Sequence, residues 1–184
     1  MKRKNLIITL AAVFFVFAIL PVSSAATKPW YVPRLEKLGF FVFDPPFVYQ
    51  DFKVTALTGT THSRTSTKGN IVLLNFWATW CPPCREEIPS IEALSKAMKG
   101  QKFEVFAVDV GEDIATVKAF VSEQKMTYPI YLDPNSILSR IYASQGIPTT
   151  YLLDKDGRFI AGMVGSYNYS NPDFIGFLAE LAQK

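Results

Sequence analysis

Histidine occurs once in the 184 residues, at His62, and cysteine twice, at Cys81 and Cys84. A structural zinc site takes four nitrogen or sulfur ligands, so these three side chains give no basis for a zinc site. Two cysteines three apart also make a poor staple, because a bridge over two intervening residues closes a loop too small to restrain the unfolded chain much. Excess charge is missing as well, once the first residues are set aside. The formal net charge is +3, Lys2, Arg3 and Lys4 supply three cations, and residues 1–26 contain no Asp or Glu. The chain beyond residue 26 is neutral overall, which excludes the basic surface that a nucleic-acid binder needs. It also has no second long apolar run, no internal repeat and no low-complexity tract. With 49% hydrophobic and 19% charged residues, the composition is that of a globular protein.

The N-terminus has the parts of a secretory signal. Lys2–Lys4 form a basic start, Leu6–Leu20 an apolar stretch interrupted only by Thr9, and Ser23, Ser24, Ala25 and Ala26 a small-residue site after Pro21. Two readings are open, a cleaved signal and a retained anchor. The apolar run is 15 residues, short of the roughly 20 that span a bilayer comfortably, and this favours cleavage after Ala25 or Ala26. Either way the remainder is expected outside the cytoplasm, in the periplasm or at the cell surface, with membrane contact only if the leader is kept. The first cysteine is Cys81, so no lipid attachment is available near the leader.

The organisation expected along the chain is residues 1–26 as leader, 27–50 as an arm and 51–184 as one domain. The arm is rich in aromatics and holds Pro29, Pro33, Pro45 and Pro46. It is expected to pack on the domain, with a short helix near Arg34–Leu38 and no long one. Phe52–Leu57 and Thr60–Arg64 should form a β-hairpin across Thr58-Gly59. The unbroken apolar run Ile71–Phe76 suits a strand buried on both faces. A helix extends from the cysteines to Lys99. Then come a strand at Phe103–Val110, a helix at Ile114–Lys125, a strand at Tyr128–Leu132 and a helix at Ser136–Ser144. Thr149–Leu153 and Phe159–Val164 pair across Asp156-Gly157, and Pro172–Ala182 closes as a helix. This is a mixed α/β sheet with helices on both faces and an N-terminal β-hairpin.

A CxxC pair that leaves a strand and opens a helix is a redox signature. Cys81 would sit at the helix N-terminus, where free N–H groups and the helix dipole favour a thiolate. Cys84, one turn on, could attack back to resolve a mixed disulfide. Pro82 and Pro83 fit the first helical turn but withhold two N–H donors from that thiolate. Glu87 lies three residues after Cys84, on roughly its face of the helix. From the residues alone it could be a solvated first-turn acid, or a buried acid of raised pKa that exchanges a proton with the resolving thiol.

The run Leu73-Leu74-Asn75-Phe76-Trp77-Ala78-Thr79-Trp80-Cys81-Pro82-Pro83-Cys84-Arg85-Glu86-Glu87-Ile88-Pro89 resembles the TlpA/ResA-like extracytoplasmic thioredoxins. Gly146-Ile147-Pro148-Thr149-Thr150 is similar to the cis-proline loop of that fold. The resemblance covers about residues 51–184, and the elements between Val110 and Gly146 resemble the insertion that sets this family apart from a minimal thioredoxin. It implies a thioredoxin-like fold, thiol–disulfide exchange through Cys81 and Cys84 without a cofactor, and a functional acid at Glu87. Minimal thioredoxins carry an Asp where this chain has Asn75, which leaves Glu87 as the acid. The resemblance also implies that Ile147, before a cis Pro148, pairs through its backbone with a substrate strand. Trp77 and Trp80 flank the site by position, Trp80 being expected to shield the disulfide and Trp77 to be core. The partners implied are protein thiols and disulfides, supplied with electrons by a membrane thiol carrier. A reductase is the leading reading, with cytochrome c maturation as one setting for it. A disulfide oxidase or isomerase is the alternative, and a Cu(I) carrier through the two thiols a more distant one.

Overall fold

Strand Ile71–Trp77 is apolar at every position but Asn75, and all seven residues are buried in the computed structural model, which describes residues 28–184. The leader therefore lies outside the described residues. The elements, in chain order, are α1 (Val32–Lys37), β1 (Phe41–Phe47), β2 (Lys53–Ala56), β3 (Thr61–Ser63), β4 (Ile71–Trp77), α2 (Pro82–Ala97), β5 (Phe103–Val110), α3 (Ile114–Gln124), β6 (Ile130–Asp133), α4 (Ser139–Tyr142), β7 (Thr149–Leu153), β8 (Phe159–Val164) and α5 (Pro172–Gln183). A 3-10 turn at Arg64–Thr67 links β3 to β4. The eight strands form one sheet in the order β1-β8-β7-β4-β5-β6-β2-β3. β4, β5 and β6 run parallel; the remaining pairings are antiparallel.

Alternation along the central strands divides the core. Ile71, Leu73 and Trp77 of β4, with Val105 and Ala107 of β5, face α1, α2, α3 and α5. Val72, Leu74 and Phe76, with Phe106 and Val108, face the other side, where α4 and Phe52 cover them. Helices thus lie on both faces, though unequally. Asn75 shares the α2 side with Leu73 and Trp77, and this puts a polar side chain in the core directly under the active-site helix.

Three segments differ from the sequence expectation. The arm supplies an edge strand: β1 pairs with β8, with an irregular register between Val42 and Phe47 around Pro45 and Pro46. Prolines mask a strand in the sequence, yet a sheet edge tolerates their missing N–H groups. The ring of Phe41 lies over Gly162, where a Cβ would come within 2.3 Å of it. The helix expected over Ser136–Ser144 is only the single turn α4. The carboxylate of Asp133 accepts the N–H groups of Ile137, Leu138 and Ser139, and Ser136 adopts a left-handed φ of 54°. These local bonds organise a capped turn where the apolar spacing suggested a longer helix. β6 also starts later than expected, after Pro129.

Candidate active site

The exit of β4 delivers Cys81 to the N-cap of α2. Its backbone is extended there, and Pro82 and Pro83 occupy the first turn. With those N–H groups gone, the Cys84 N–H is the donor that reaches Cys81 Sγ, at 3.3 Å. The two cysteines form a disulfide. Both are buried, Cys84 completely and Cys81 nearly so, and Cys81 Sγ lies 3.7 Å from the Ile147 carbonyl oxygen. The Ile147–Pro148 peptide is cis, as is Asp44–Pro45, which the sequence did not suggest. The Pro148 carbonyl accepts from the Gly165 N–H, tying this loop to the end of β8. Cys81, Cys84, Ile147 and Pro148 are therefore brought together.

Glu87 joins them from below. Cys84, Glu87, Ile88, Ile91 and Leu94 form the buried stripe of α2, so a carboxyl occupies a position of helical spacing otherwise filled by apolar groups. Glu87 is only 2% exposed. Its Oε1 accepts from Asn75 Nδ2 at 2.8 Å and its Oε2 from the Tyr167 N–H at 3.4 Å. Burial outweighs these two bonds and pushes its pKa up to about 7. Glu87 is thus no solvated first-turn acid.

The sequence marked Asn75 only as a position lacking an acid, and gave no role to Thr150 or Tyr169. Asn75 Nδ2 also reaches Thr150 Oγ1 at 2.9 Å, and Thr150 accepts from the hydroxyl of the fully buried Tyr169 at 2.6 Å. The network Glu87–Asn75–Thr150–Tyr169 joins α2, β4, β7 and the loop before α5. Asn75 and Thr150 are direct cross-strand partners. A polar residue inside an apolar strand, opposite a threonine two positions after the loop proline, was the available signal. Trp77 is core, packed on Phe120 with ring centroids 5.8 Å apart. Trp80, expected to shield the disulfide, is 64% exposed and offers its ring to solvent and to any partner. His62 is far off on β3, hydrogen-bonded to Thr60 and packed on Tyr131. Among the described residues no three His, Cys, Asp or Glu side chains are grouped to hold a metal ion.

Residues 48–161 match the model of the AhpC/TSA family. The chain belongs to this family. Within it, the chain is 38% identical over 108 residues to the thiol-disulfide oxidoreductase ResA of Geobacillus thermodenitrificans, an alignment covering 59% of this chain and 62% of that one. It is 36% identical over 135 residues to the ResA of Bacillus thuringiensis subsp. konkukian, covering 73% and 75%. The crystal structure of StoA from Bacillus subtilis superposes with a TM-score of 0.61 at 27% identity, over 71% of this chain and 99% of that one. The chain thus spans just under two thirds of the length of the Geobacillus relative. The TlpA/ResA-like resemblance of the run 73–89 is borne out, as is the thioredoxin-like fold. In this chain the Cys81–Cys84 pair lies at the start of α2.

Proposed function

We propose that this protein is an extracytoplasmic thiol–disulfide oxidoreductase that reduces disulfides in other proteins. The observation that carries this reading is the placement of Cys81 Sγ at the N-cap of α2, beside the Ile147 carbonyl, with Cys84 and Glu87 buried behind it. In the reduced protein Cys81 attacks a substrate sulfur as its thiolate. The substrate's other sulfur leaves as a thiolate that takes up a proton. Cys84 loses its proton to Glu87 and attacks Cys81, which releases the reduced substrate and leaves the Cys81–Cys84 disulfide. Glu87 suits that transfer because burial holds its pKa up at about 7, between an ordinary carboxyl and a thiol. The substrate strand docks against Ile147, and Trp80 covers its other side. This is mostly main-chain recognition and gives loose sequence specificity. Electrons come from a membrane thiol carrier, and c-type cytochromes in maturation are one client class.

Trapping tests the roles. Cys84→Ser should accumulate mixed disulfides through Cys81, and Cys81→Ser should form none. A greater accessibility of Cys84 than of Cys81 to alkylation in the reduced native protein would reverse the assignment. Glu87→Gln should shift the pH profile of thiol reactivity and slow reduction while the fold persists; superimposable profiles would remove Glu87 from the mechanism. Export is checked by sequencing the mature N-terminus, which should be Ala26 or Thr27. A chain that starts at Met1 and stays with the membrane makes the leader an anchor.

A further inference from the structure

A second buried acid lies near the redox turn, on the strand beside β4. Asp109, near the end of β5, is in register with Trp77 of β4 and Leu132 of β6. Its side chain is fully buried, and neither carboxyl oxygen has a hydrogen-bond partner of good geometry. A bare carboxylate in such a place is strongly disfavoured. The ionisable groups facing Asp109 are Glu112, in the loop leading to α3, and Asp133 on β6, and both are acids. Asp133 is already occupied by three main-chain N–H groups of the α4 turn. Glu112 is the group able to take a proton from Asp109 or share one with it. Burial first, and the Glu112 carboxyl second, push the Asp109 pKa up to about 8, against a smaller lowering by the Glu112 main-chain N–H.

Glu112 has a task of its own. Its Oε2 accepts the Thr79 N–H at 2.7 Å and its Oε1 the Thr79 hydroxyl at 2.6 Å. Thr79 lies in the turn between β4 and α2, two residues before Cys81. We propose that Asp109 and Glu112 are positioning residues for the redox turn: one proton is shared between them, Asp109 donating it to the Glu112 carboxylate, and the anion so fixed holds Thr79 and the approach of Trp80 and Cys81 to α2. When that proton leaves to solvent, two carboxylates confront each other in a medium of low dielectric. Glu112 is then displaced, and the Thr79 N–H and hydroxyl lose their acceptor. The turn is held at neutral pH and loosened in alkali.

The hold of the acid pair on Thr79 does not depend on the redox reading; only its effect on the rate of attack by Cys81 does. The full chain in its oxidised form, in which the cysteines cannot titrate, is followed by NMR at the Thr79 methyl group from about pH 6 to pH 10. The expected result is one titration step near pH 8 that is missing in Asp109→Asn, whose amide keeps a donor toward Glu112 at every pH. No step in the wild type, or the same step in Asp109→Asn, overturns the proposal, and the wild-type titration decides even if the variant folds poorly. In the reduced protein, the rate of attack on a peptide disulfide is compared between Asp109→Asn and wild type. The rates are taken per Cys81 thiolate, the thiol of each protein being titrated separately, so their ratio isolates the acid pair. It should rise by at least about threefold between pH 6 and pH 9. A ratio flat across this range limits the pair to a structural role and overturns its part in positioning Cys81.

Discussion

Glu87 occupies the apolar stripe of α2, where a leucine would be unremarkable, and the molecule carries a thermodynamic burden for it. Its folded pKa is raised to about 7 from an ordinary carboxyl value, with burial as the cause. The folded state therefore binds more protons than the unfolded state between the two values, and stability must fall as pH rises through that window. The penalty is absent below about pH 4 and complete above about pH 7. A shift of this size corresponds to about 3 kcal/mol. Glu87→Gln should remove that slope: the stability of the variant relative to wild type, measured by urea unfolding of the oxidised protein, should increase by a few kcal/mol from pH 4 to pH 7. A constant difference over this range would mean that the carboxyl is neutralised or solvated in some other way. The Cys81–Cys84 pair was legible in the sequence because its motif and spacing are local, and Pro148 because its loop is similar to the cis-proline loop of the thioredoxin fold. Glu87 was legible only as one of two readings, since spacing gives a face of the helix and not its burial. Thr150, Tyr169, Asp109 and Glu112 were not legible. Each acquires its role from a partner on another strand or loop, and only sheet register brings these together.

At the scale of elements, apolar runs and turn residues specified β4, β5, β7, β8 and α5 closely, because each is a buried strand or an amphipathic helix with a clear period. The failures came where local polar chemistry or proline competes with that period. Asp133 captures three N–H groups and shortens the α4 region to one turn. Pro45 and Pro46 disguise β1, which survives because it lies on the edge of the sheet. The seating of β1 makes a separate prediction. Gly162 leaves room for the Phe41 ring, and Phe41 is half-exposed, so a methyl group at Gly162 would push the ring outward without breaking the core. Gly162→Ala should destabilise the protein by about 1 kcal/mol. In a Phe41→Ala background the same change should have a much smaller effect, and thermal unfolding of the four-member double-mutant cycle reads the difference. Equal effects in both backgrounds would separate the arm's packing from Gly162.

For the whole molecule, the sheet order places the parallel strands β4, β5 and β6 together, so the C-terminal ends of β4 and β5 carry the chemistry to one edge of the fold. Cys81 comes after β4, Glu112 after β5, and the Ile147–Pro148 loop precedes β7, the antiparallel neighbour of β4. Two buried acids lie near the redox turn, Glu87 three residues after Cys84 on α2 and Asp109 near the end of β5 beside Trp77. Neither has a cation among the groups that shift it. Pro82 and Pro83 withhold N–H donors, and the Cys84 N–H is the main-chain donor that remains on Cys81. A thiolate expected to be stabilised only moderately, by the helix dipole and the remaining N–H groups, points to a reducing couple, because stabilising the reduced form is what makes a couple oxidising. The direction of electron flow is therefore the central claim, and equilibration of the purified protein with dithiothreitol or glutathione buffers measures it directly. The potential should fall near that of thioredoxin, about −270 mV, whereas a value above about −150 mV, toward the DsbA range, would contradict the reductase account and make this protein a disulfide-forming enzyme.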